Sequence, residues 1–151
     1  MSVWTGVPRL DGVRLLFVEG APQVREVVAE VLGQCGAEVT AVDSAVAGLA
    51  IVKRERPDAL VSSLSMAEKD GYWLIREVRK LPPDQGGDVP AAAFTGKTTA
   101  EDRQATLRAG FQYHVPKPVA LSRLVGVVAL LALKKARAGE HGATMALSPG
   151  G

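Results

Sequence analysis

Short apolar runs alternate with longer amphipathic segments along this chain of 151 residues. Positions 13–18 are mostly apolar, which is typical of a strand covered on both faces. From Val24 to Leu32, apolar residues recur at helical spacing, and Pro22 suits a first helical turn. Gly33 and Gly36 then end the predicted helix. The first segment of the chain therefore predicts a buried strand followed by an amphipathic helix.

The same alternation recurs to the end of the chain. The further predicted strands span 38–42, 58–62, 89–94 and 112–115. The further predicted helices run from Ser44 to Arg56, from about Asp70, from a capping box at Thr98–Glu101 to Gly110, and from Leu121 to about Ala138. Repeated strand–helix units predict an α/β fold, a doubly wound five-stranded parallel sheet with helices on both faces. We expect residues 1–10 to be an N-terminal extension, 11–138 a single domain and 139–151 a disordered tail.

Composition excludes several classes of partner. The net charge is only +2, which gives no strong attraction to nucleic acid or to a membrane surface. The longest apolar stretch, Leu124 to Leu133, is far shorter than the roughly 20 residues of a membrane span. The single cysteine, Cys35, forms no internal disulfide and fits a cytoplasmic location. We therefore expect a cytoplasmic protein that binds neither nucleic acid nor membrane.

Polar residues follow the predicted strands at the positions where such folds bind ligands. Ligands of doubly wound sheets lie at the carboxyl ends of the strands, where the strand order reverses. The residues at these positions are Glu19 with Gly20, Ser63, Thr95 and Lys117. The segment 19–22 lacks the glycine-rich pattern of a phosphate-binding loop, so a cofactor-binding enzyme is a weak hypothesis.

Five motifs in order carry a resemblance to a known family. They are Leu-Asp-Gly-Val-Arg-Leu-Leu-Phe-Val at 10–18, Arg-Pro-Asp-Ala-Leu-Val-Ser at 56–62, Asp-Gly-Tyr at 70–72, Phe-Thr-Gly at 94–96, and Ala109-Gly110 through Lys117-Pro118. On this pattern the chain, from about residue 10 to 133, resembles the receiver domains of bacterial two-component response regulators. The resemblance implies the flavodoxin-like strand order 2-1-3-4-5. The opening Leu-Asp-Gly and the Pro-Gly-rich loop at 81–87 are similar to receivers attached to hybrid histidine kinases.

Receivers of this family accept a phosphoryl group from a histidine kinase on an aspartate. The family pocket holds Mg²⁺ through an acidic pair, the acceptor carboxylate and a backbone carbonyl two residues beyond the acceptor. In this chain the acidic pair is Glu19-Gly20, so the position of the direct metal ligand has no side chain. Ser63 occupies the acceptor position. A serine hydroxyl is a poor nucleophile without an adjacent base, and it forms no acyl phosphate.

The outer positions of the family pocket are retained. Thr95 matches the switch hydroxyl, Lys117 matches the phosphate-pairing lysine, and Ser65 matches the residue that offers its carbonyl. His114 aligns with the switch aromatic residue. With one carboxylate against one lysine, we expect that the Mg²⁺ site is lost, that no cofactor binds and that the protein is not an enzyme. We also expect Lys117 to turn to Glu19 or to bond to Ser63, because a buried unpaired ammonium is costly.

Two surface features indicate partners. Trp73 has polar neighbours at helical spacing, so we expect it to be exposed and to form part of an interface; packing over a neighbouring loop is the alternative. The last helix carries a second apolar stripe that includes Val127 and Leu130. The resemblance implies a homodimer, or docking of a protein partner, through helix four, strand five and helix five. Burial of both stripes inside the domain is the alternative.

These observations lead to two functional hypotheses. The first is a degenerate receiver, or pseudo-receiver, that acts by phosphorylation-independent protein–protein interaction. Its partner is expected to be a histidine kinase or another two-component protein. The second is a receiver that still takes part in a phosphorelay, through another phosphosite or as a constitutive partner of a kinase.

Overall fold

The computed structural model describes residues 7–118 and 120–146 of the chain, with side chains through residue 136. The strands are β1 (Arg14–Val18), β2 (Glu38–Val42), β3 (Ala59–Ser63), β4 (Ala91–Thr95) and β5 (Tyr113–Pro116). The helices are α1 (Pro22–Gln34), α2 (Ala45–Glu55), α3 (Gly71–Arg79), α4 (Ala100–Ala109) and α5 (Leu121–Ala146), with a short 3₁₀ turn at Pro83–Gln85. Each described helix is too short or too polar to cross a bilayer.

The five strands form one parallel sheet in the order β2-β1-β3-β4-β5, which confirms the predicted doubly wound fold. Each face of the sheet has its own apolar core. On one face, α1 and α5 contribute residues such as Leu32 and Leu124, which pack on Phe17 and Phe94. On the other face, α2 and α3 pack on the alternate strand positions, among them Leu16. The central strands are buried on both faces, which explains their lack of polar alternation.

Side-chain caps begin three of the helices, because a side-chain oxygen satisfies a backbone N–H that has no partner within the helix. Ser44 Oγ accepts from the Ala47 amide at 3.1 Å, and Asp70 Oδ1 accepts from the Trp73 amide at 2.8 Å. The predicted capping box of α4 is off by one residue. It joins Thr99 and Asp102 rather than Thr98 and Glu101, since both reciprocal hydrogen bonds form at that register.

Several strand boundaries lie one residue later than predicted, and the start of β4 and the end of α5 differ by more. Strand β4 begins at Ala91 rather than at position 89; Pro90 has no N–H to donate to a ladder. Helix α5 continues to Ala146, past the predicted end near Ala138, so positions 139–146 of the predicted disordered tail are helical. Once the packed part of a helix is nucleated, each added residue contributes one more hydrogen bond at little cost. Positions 147–151, and positions 1–6 of the predicted extension, lie outside the described residues.

Arg79, the last residue of α3, forms hydrogen bonds with two loops that are distant from each other in the sequence. Its Nε and Nη2 donate to the Gly110 carbonyl at 3.0 and 2.7 Å, and its Nη1 donates to the Gly87 carbonyl at 2.9 Å. Burial lowers the pKa of Arg79, and the nearby Asp88 acts in the opposite direction. The guanidinium therefore holds the turn before β5 against the loop before β4.

Gly71, the first residue of α3, lets the helix approach the end of β3 closely. A Cβ at this position would lie 2.3 Å from the Ser63 carbonyl oxygen and 2.9 Å from Leu64 Cα. Both atoms belong to the backbone, so neither can rotate away. The absence of a side chain at Gly71 therefore sets the distance between α3 and the residue at the predicted acceptor position.

We predict that Gly71→Ala lowers the free energy of unfolding by about 3 kcal/mol, because the added methyl forces the backbone apart. Gly126→Ala is the matched control. A Cβ at Gly126, in the interior of α5, meets nothing within 4 Å, and alanine there should stabilise the helix by about 1 kcal/mol. Urea denaturation followed by circular dichroism measures both changes. Equal stabilities of the two variants would contradict the packing assigned to Gly71.

Candidate functional site

The candidate site lies at the carboxyl edge of the sheet, over three neighbouring strands. Because β1, β3 and β4 are adjacent and parallel, the residues at their ends come together: Glu19 directly after β1, Ser63 at the end of β3 and Thr95 at the end of β4. All three are buried. The order of the strands, which sequence periodicity alone does not give, is therefore what assembles the predicted pocket.

Lys117 approaches this edge from the segment after β5. Its backbone N–H donates to the Thr95 carbonyl at 2.8 Å, which extends the ladder by one bond. Its Nζ donates to Glu19 Oε1 at 2.8 Å and to Ser63 Oγ at 2.9 Å. Both contacts considered for Lys117 from the sequence are therefore present at once. We call Glu19, Ser63 and Lys117 the pocket triad.

The pocket triad contains an ion pair whose two side chains differ greatly in burial. The side chain of Glu19 is 2% exposed, whereas that of Lys117 is 30% exposed. The ammonium also lies 4.9 Å from the centroid of the Phe94 ring, within range of a cation–π interaction. A carboxylate buried this deeply is costly unless a cation compensates it. Lys117 thus neutralises the one acidic side chain of the pocket.

The space beside Gly20 is bordered by Met66 and by the backbone of Asp43. A Cβ at Gly20 would lie 3.8 Å from Met66 Cγ and 3.8 Å from the Asp43 carbonyl oxygen. Arg25 Nη1 donates to the carbonyl of Glu19 at 2.8 Å and to that of Gly20 at 3.4 Å. The surroundings of Gly20 therefore include a thioether and a guanidinium, neither of which is a ligand for Mg²⁺.

These donors do not fit a magnesium ion. Mg²⁺ requires several oxygen ligands in near-octahedral geometry, usually with at least one carboxylate available. The side-chain oxygens gathered here are the Glu19 carboxylate, which is paired with Lys117, and the hydroxyls of Ser63 and Thr95. The guanidinium of Arg25 on the carbonyls of Glu19 and Gly20 adds positive charge next to these oxygens.

The remaining predicted site residues lie around the triad or away from it. Thr95 Oγ1 accepts from the Lys97 amide at 3.1 Å, so the switch hydroxyl position is bound to its own loop. Ser65 is exposed in the loop after β3. His114 lies on the opposite side of β5 from the α5 core, with Nδ1 3.0 Å from Thr106 Oγ1 of α4. Among the described side chains, its Nε2 is buried without a hydrogen-bond partner.

The predicted interface residues differ in exposure. Trp73 is only half-buried and packs against the α2–α3 core, with Lys69 Nζ 5.6 Å from its ring centroid, so the expected exposure is corrected in part. The next two residues of α3, Leu74 and Ile75, are fully buried in that core, so the ring of Trp73 is partly covered by it. On α5, Val127 packs against the core and Leu130 is 47% exposed. The second stripe of α5 is therefore divided, with Val127 partly buried on the domain core and Leu130 exposed.

Met66 and Arg25 are the pocket residues that the sequence did not reveal. Met66 lies in an irregular loop, and Arg25 is a charged residue on an otherwise ordinary amphipathic helix. Neither belongs to a motif. The one available signal was the missing carboxylate at position 20, which leaves space that another side chain must occupy.

Comparison with known proteins identifies the family. The family model of the response regulator receiver domain matches residues 15–129. A Leptolyngbya boryana protein described as an uncharacterized 14.6 kDa protein in the sodA1 3′ region is 40% identical over 114 residues, covering 76% of this chain and 86% of that protein. Response regulator MprA of Mycobacterium leprae is 32% identical, covering 90% of this chain and 58% of MprA. The chain thus spans little more than half the length of that regulator.

Solved structures agree with this match. The receiver domain of sensor histidine kinase PA1611 from Pseudomonas aeruginosa, with a magnesium ion coordinated in its active-site cleft, superposes with a TM-score of 0.73 at 28% identity, covering 80% of this chain and 98% of that domain. The Francisella response regulator 1452 receiver domain superposes with a TM-score of 0.76, covering 82% of this chain and 98% of that chain. At 18% identity, the second match supports the fold alone.

We predict that Lys117→Met lowers the free energy of unfolding by about 3 kcal/mol, because it leaves a buried carboxylate unpaired. The double variant Glu19→Gln/Lys117→Met should recover most of that loss, since both charges are then removed. Urea denaturation of the wild type, both single variants and the double variant gives the coupling energy. If the losses of unfolding free energy in the two single variants sum to that of the double variant within about 0.5 kcal/mol, the Glu19–Lys117 pairing would be contradicted.

Proposed function

The chain belongs to the response regulator receiver domain family, and from this premise we propose that it is a signalling module that acts without phosphorylation, by contact with a protein partner. The observation that carries the proposal is the pocket triad. Lys117 donates to both Glu19 and Ser63, so the groups that would face an incoming phosphoryl group and its metal are already bonded to each other. In this proposal the fold serves as a binding surface, and its cytoplasmic location follows that of two-component signalling.

The chemistry at Ser63 supports the same proposal. A receiver stores its phosphoryl group as an acyl phosphate, which requires a carboxylate. Ser63 has a hydroxyl instead, and the residue is 1% exposed. Its Oγ accepts from an ammonium, which is a donor and does not act as a general base toward the hydroxyl. Neither an acyl phosphate nor an activated serine nucleophile is therefore expected here.

The proposed partners are two-component proteins. The matched receiver from Pseudomonas aeruginosa belongs to a sensor histidine kinase, which supports a kinase as partner. The surface that we propose for docking, or for a homodimer, comprises α4, β5 and α5. Leu107 is 50% exposed on α4, and Leu130 and Leu133 are each 47% exposed on α5. These leucines leave apolar area in contact with water, which a partner would cover.

We predict that the full chain incubated with acetyl phosphate and Mg²⁺ gains no hydroxylamine-labile phosphoryl group. The reason is the absence of a free carboxylate at position 63, together with the pairing of Glu19 by Lys117. Intact-mass spectrometry with and without hydroxylamine measures the result. A stoichiometric, hydroxylamine-labile adduct would support the alternative, a receiver still active in a phosphorelay.

Restoring the two carboxylates should restore labelling. A Cβ at Gly20 meets only ordinary van der Waals contacts at 3.8 Å, so we expect Gly20→Asp/Ser63→Asp to fold and to accept a phosphoryl group. The matched control, Gly20→Ala/Ser63→Asp, has the same Cβ but no second metal ligand and should label far more slowly. Equal labelling of both variants would contradict the role assigned to position 20. Adding Met66→Ala tests whether the thioether hinders the restored site.

We predict that any self-association of the chain depends on the exposed leucines of α5. Leu130→Glu should shift a dimer to monomer, since it places a charge in the apolar contact. Val46→Glu is the matched control, because Val46 is 55% exposed on α2, away from this surface. Size-exclusion chromatography with light scattering measures the mass. A dimer that survives Leu130→Glu, or dissociates in Val46→Glu, would exclude the proposed surface.

A further inference from the structure

A groove between α1 and α5 opens beside the pocket triad. We call it the α1–α5 groove; its volume is about 500 Å³. Its lining includes Val24, Val27 and Val28 of α1, Leu121 of α5, Phe94 of β4 and the side chain of Lys117. Pockets that bind small molecules in proteins commonly measure about 300–1,000 Å³ and are lined mainly by apolar side chains. The groove has the size and composition of such a site.

The apolar walls of the groove are in contact with solvent. Val27 is 53% exposed and Val24 is 36% exposed, although α1 has a separate buried face that packs into the core through Val28 and Leu32. The two exposed valines therefore contribute little to the domain's own packing. Covering them would remove apolar area from water, which favours binding of an apolar body.

Lys117 supplies one polar contact at the inner end of the groove. An ammonium has three N–H donors. Glu19 Oε1 and Ser63 Oγ accept from the Lys117 Nζ at 2.8 and 2.9 Å, which leaves a third donor. Lys117 remains 30% exposed, and its Nζ lies over the ring of Phe94, which also lines the groove. A hydrogen-bond acceptor within the groove would satisfy the remaining donor.

The charged groups at this end of the groove are already engaged within the protein. Glu19 compensates the positive charge of Lys117 and would repel a second carboxylate close by. The guanidinium of Arg25 is bound by the loop carbonyls of Glu19 and Gly20, so it is not free to pair with an anion. A neutral acceptor, such as a carbonyl or a ring nitrogen, gains the hydrogen bond without that repulsion. The polar part of the occupant is therefore expected to be uncharged.

We propose that the α1–α5 groove binds a neutral, largely apolar small molecule that presents one hydrogen-bond acceptor to Lys117. The apolar body packs on Val24, Val27 and Leu121, and the acceptor receives the third N–H of the ammonium. Such a ligand stabilises the Lys117 position seen in the pocket triad. Ligand binding in the groove does not depend on whether the protein accepts a phosphoryl group. A titration without binding would therefore contradict this proposal alone, and labelling by acetyl phosphate would contradict the proposed function alone.

The test is a titration of the ¹⁵N-labelled full chain with three probes of similar size. The amide chemical shifts are measured by NMR at each step. The probes are coumarin, which has a neutral carbonyl acceptor, naphthalene, which has none, and 2-naphthoate, which is an anion. We expect coumarin to shift the amides of Val24, Val27 and Leu121 and to bind about fivefold more tightly than naphthalene, as one neutral hydrogen bond allows. We expect 2-naphthoate to bind more weakly than coumarin.

Three variants distinguish the groove from nonspecific binding. Val27→Asp should abolish coumarin binding, whereas Val46→Asp, equally exposed on α2, should leave it unchanged. The charge-balanced variant Glu19→Gln/Lys117→Met should bind coumarin and naphthalene equally. Coumarin shifts outside the groove, tighter binding of 2-naphthoate, or insensitivity to Val27→Asp would overturn the proposal. Amide shifts of the groove residues that change with protein concentration but not with coumarin would assign this surface to a second copy of the chain. That result would also overturn the proposal.

Discussion

A lysine ammonium at the carboxyl edge of a covered parallel sheet must have oxygen partners, and this requirement organises the site. Lys117 is placed at that edge by a backbone bond to Thr95, whatever its side chain contacts. In a low-dielectric setting an unpaired charge costs several kcal/mol, so the ammonium and the Glu19 carboxylate stabilise the fold only as a pair. Ser63 then completes the arrangement by offering its hydroxyl as the second acceptor. The polar groups of the pocket triad are thus bonded to one another.

The same requirement explains why the surroundings of the triad differ from a metal site. With glycine at position 20, Met66 lies beside the backbone there and Arg25 binds the carbonyls of the loop. These features are mutually consistent, because positive and apolar groups are tolerated near a pocket that has no carboxylate side chain at positions 20 and 63. The retained Thr95 and Lys117 keep structural contacts, Thr95 with the Lys97 amide and Lys117 with Glu19. Their presence alone is therefore weak evidence for phosphotransfer.

Much of the fold could be predicted from the sequence because it depends on local patterns, whereas the strand order that assembles the site was implied only by the family resemblance. Alternating apolar runs located the strands, and Ser44 and Asp70 marked helix starts. The contacts of Lys117 followed from the cost of an unpaired charge. Other features depend on contacts distant in sequence. The burial of Trp73 against the α2–α3 core, the place of Met66 beside Gly20 and the clamp formed by Arg79 have no periodic signal. The small, polar and glycine-rich composition of 139–151 predicts a disordered tail, whereas α5 continues to Ala146 because helix propagation is cooperative.

The most direct test of the account is the NMR signal of the Lys117 side-chain ammonium, recorded with and without Mg²⁺ in the full chain. An ammonium that is held by both Glu19 and Ser63 and is only 30% exposed should give a ¹⁵N-correlated NH₃⁺ resonance that is protected from rapid solvent exchange. We predict that this resonance is observed and is unchanged when Mg²⁺ is added in excess, because the carboxylate prefers the ammonium at 2.8 Å to the metal. Loss or displacement of the signal on addition of Mg²⁺, but not on addition of NaCl at equal ionic strength, would show that Glu19 is available to a cation and would contradict it.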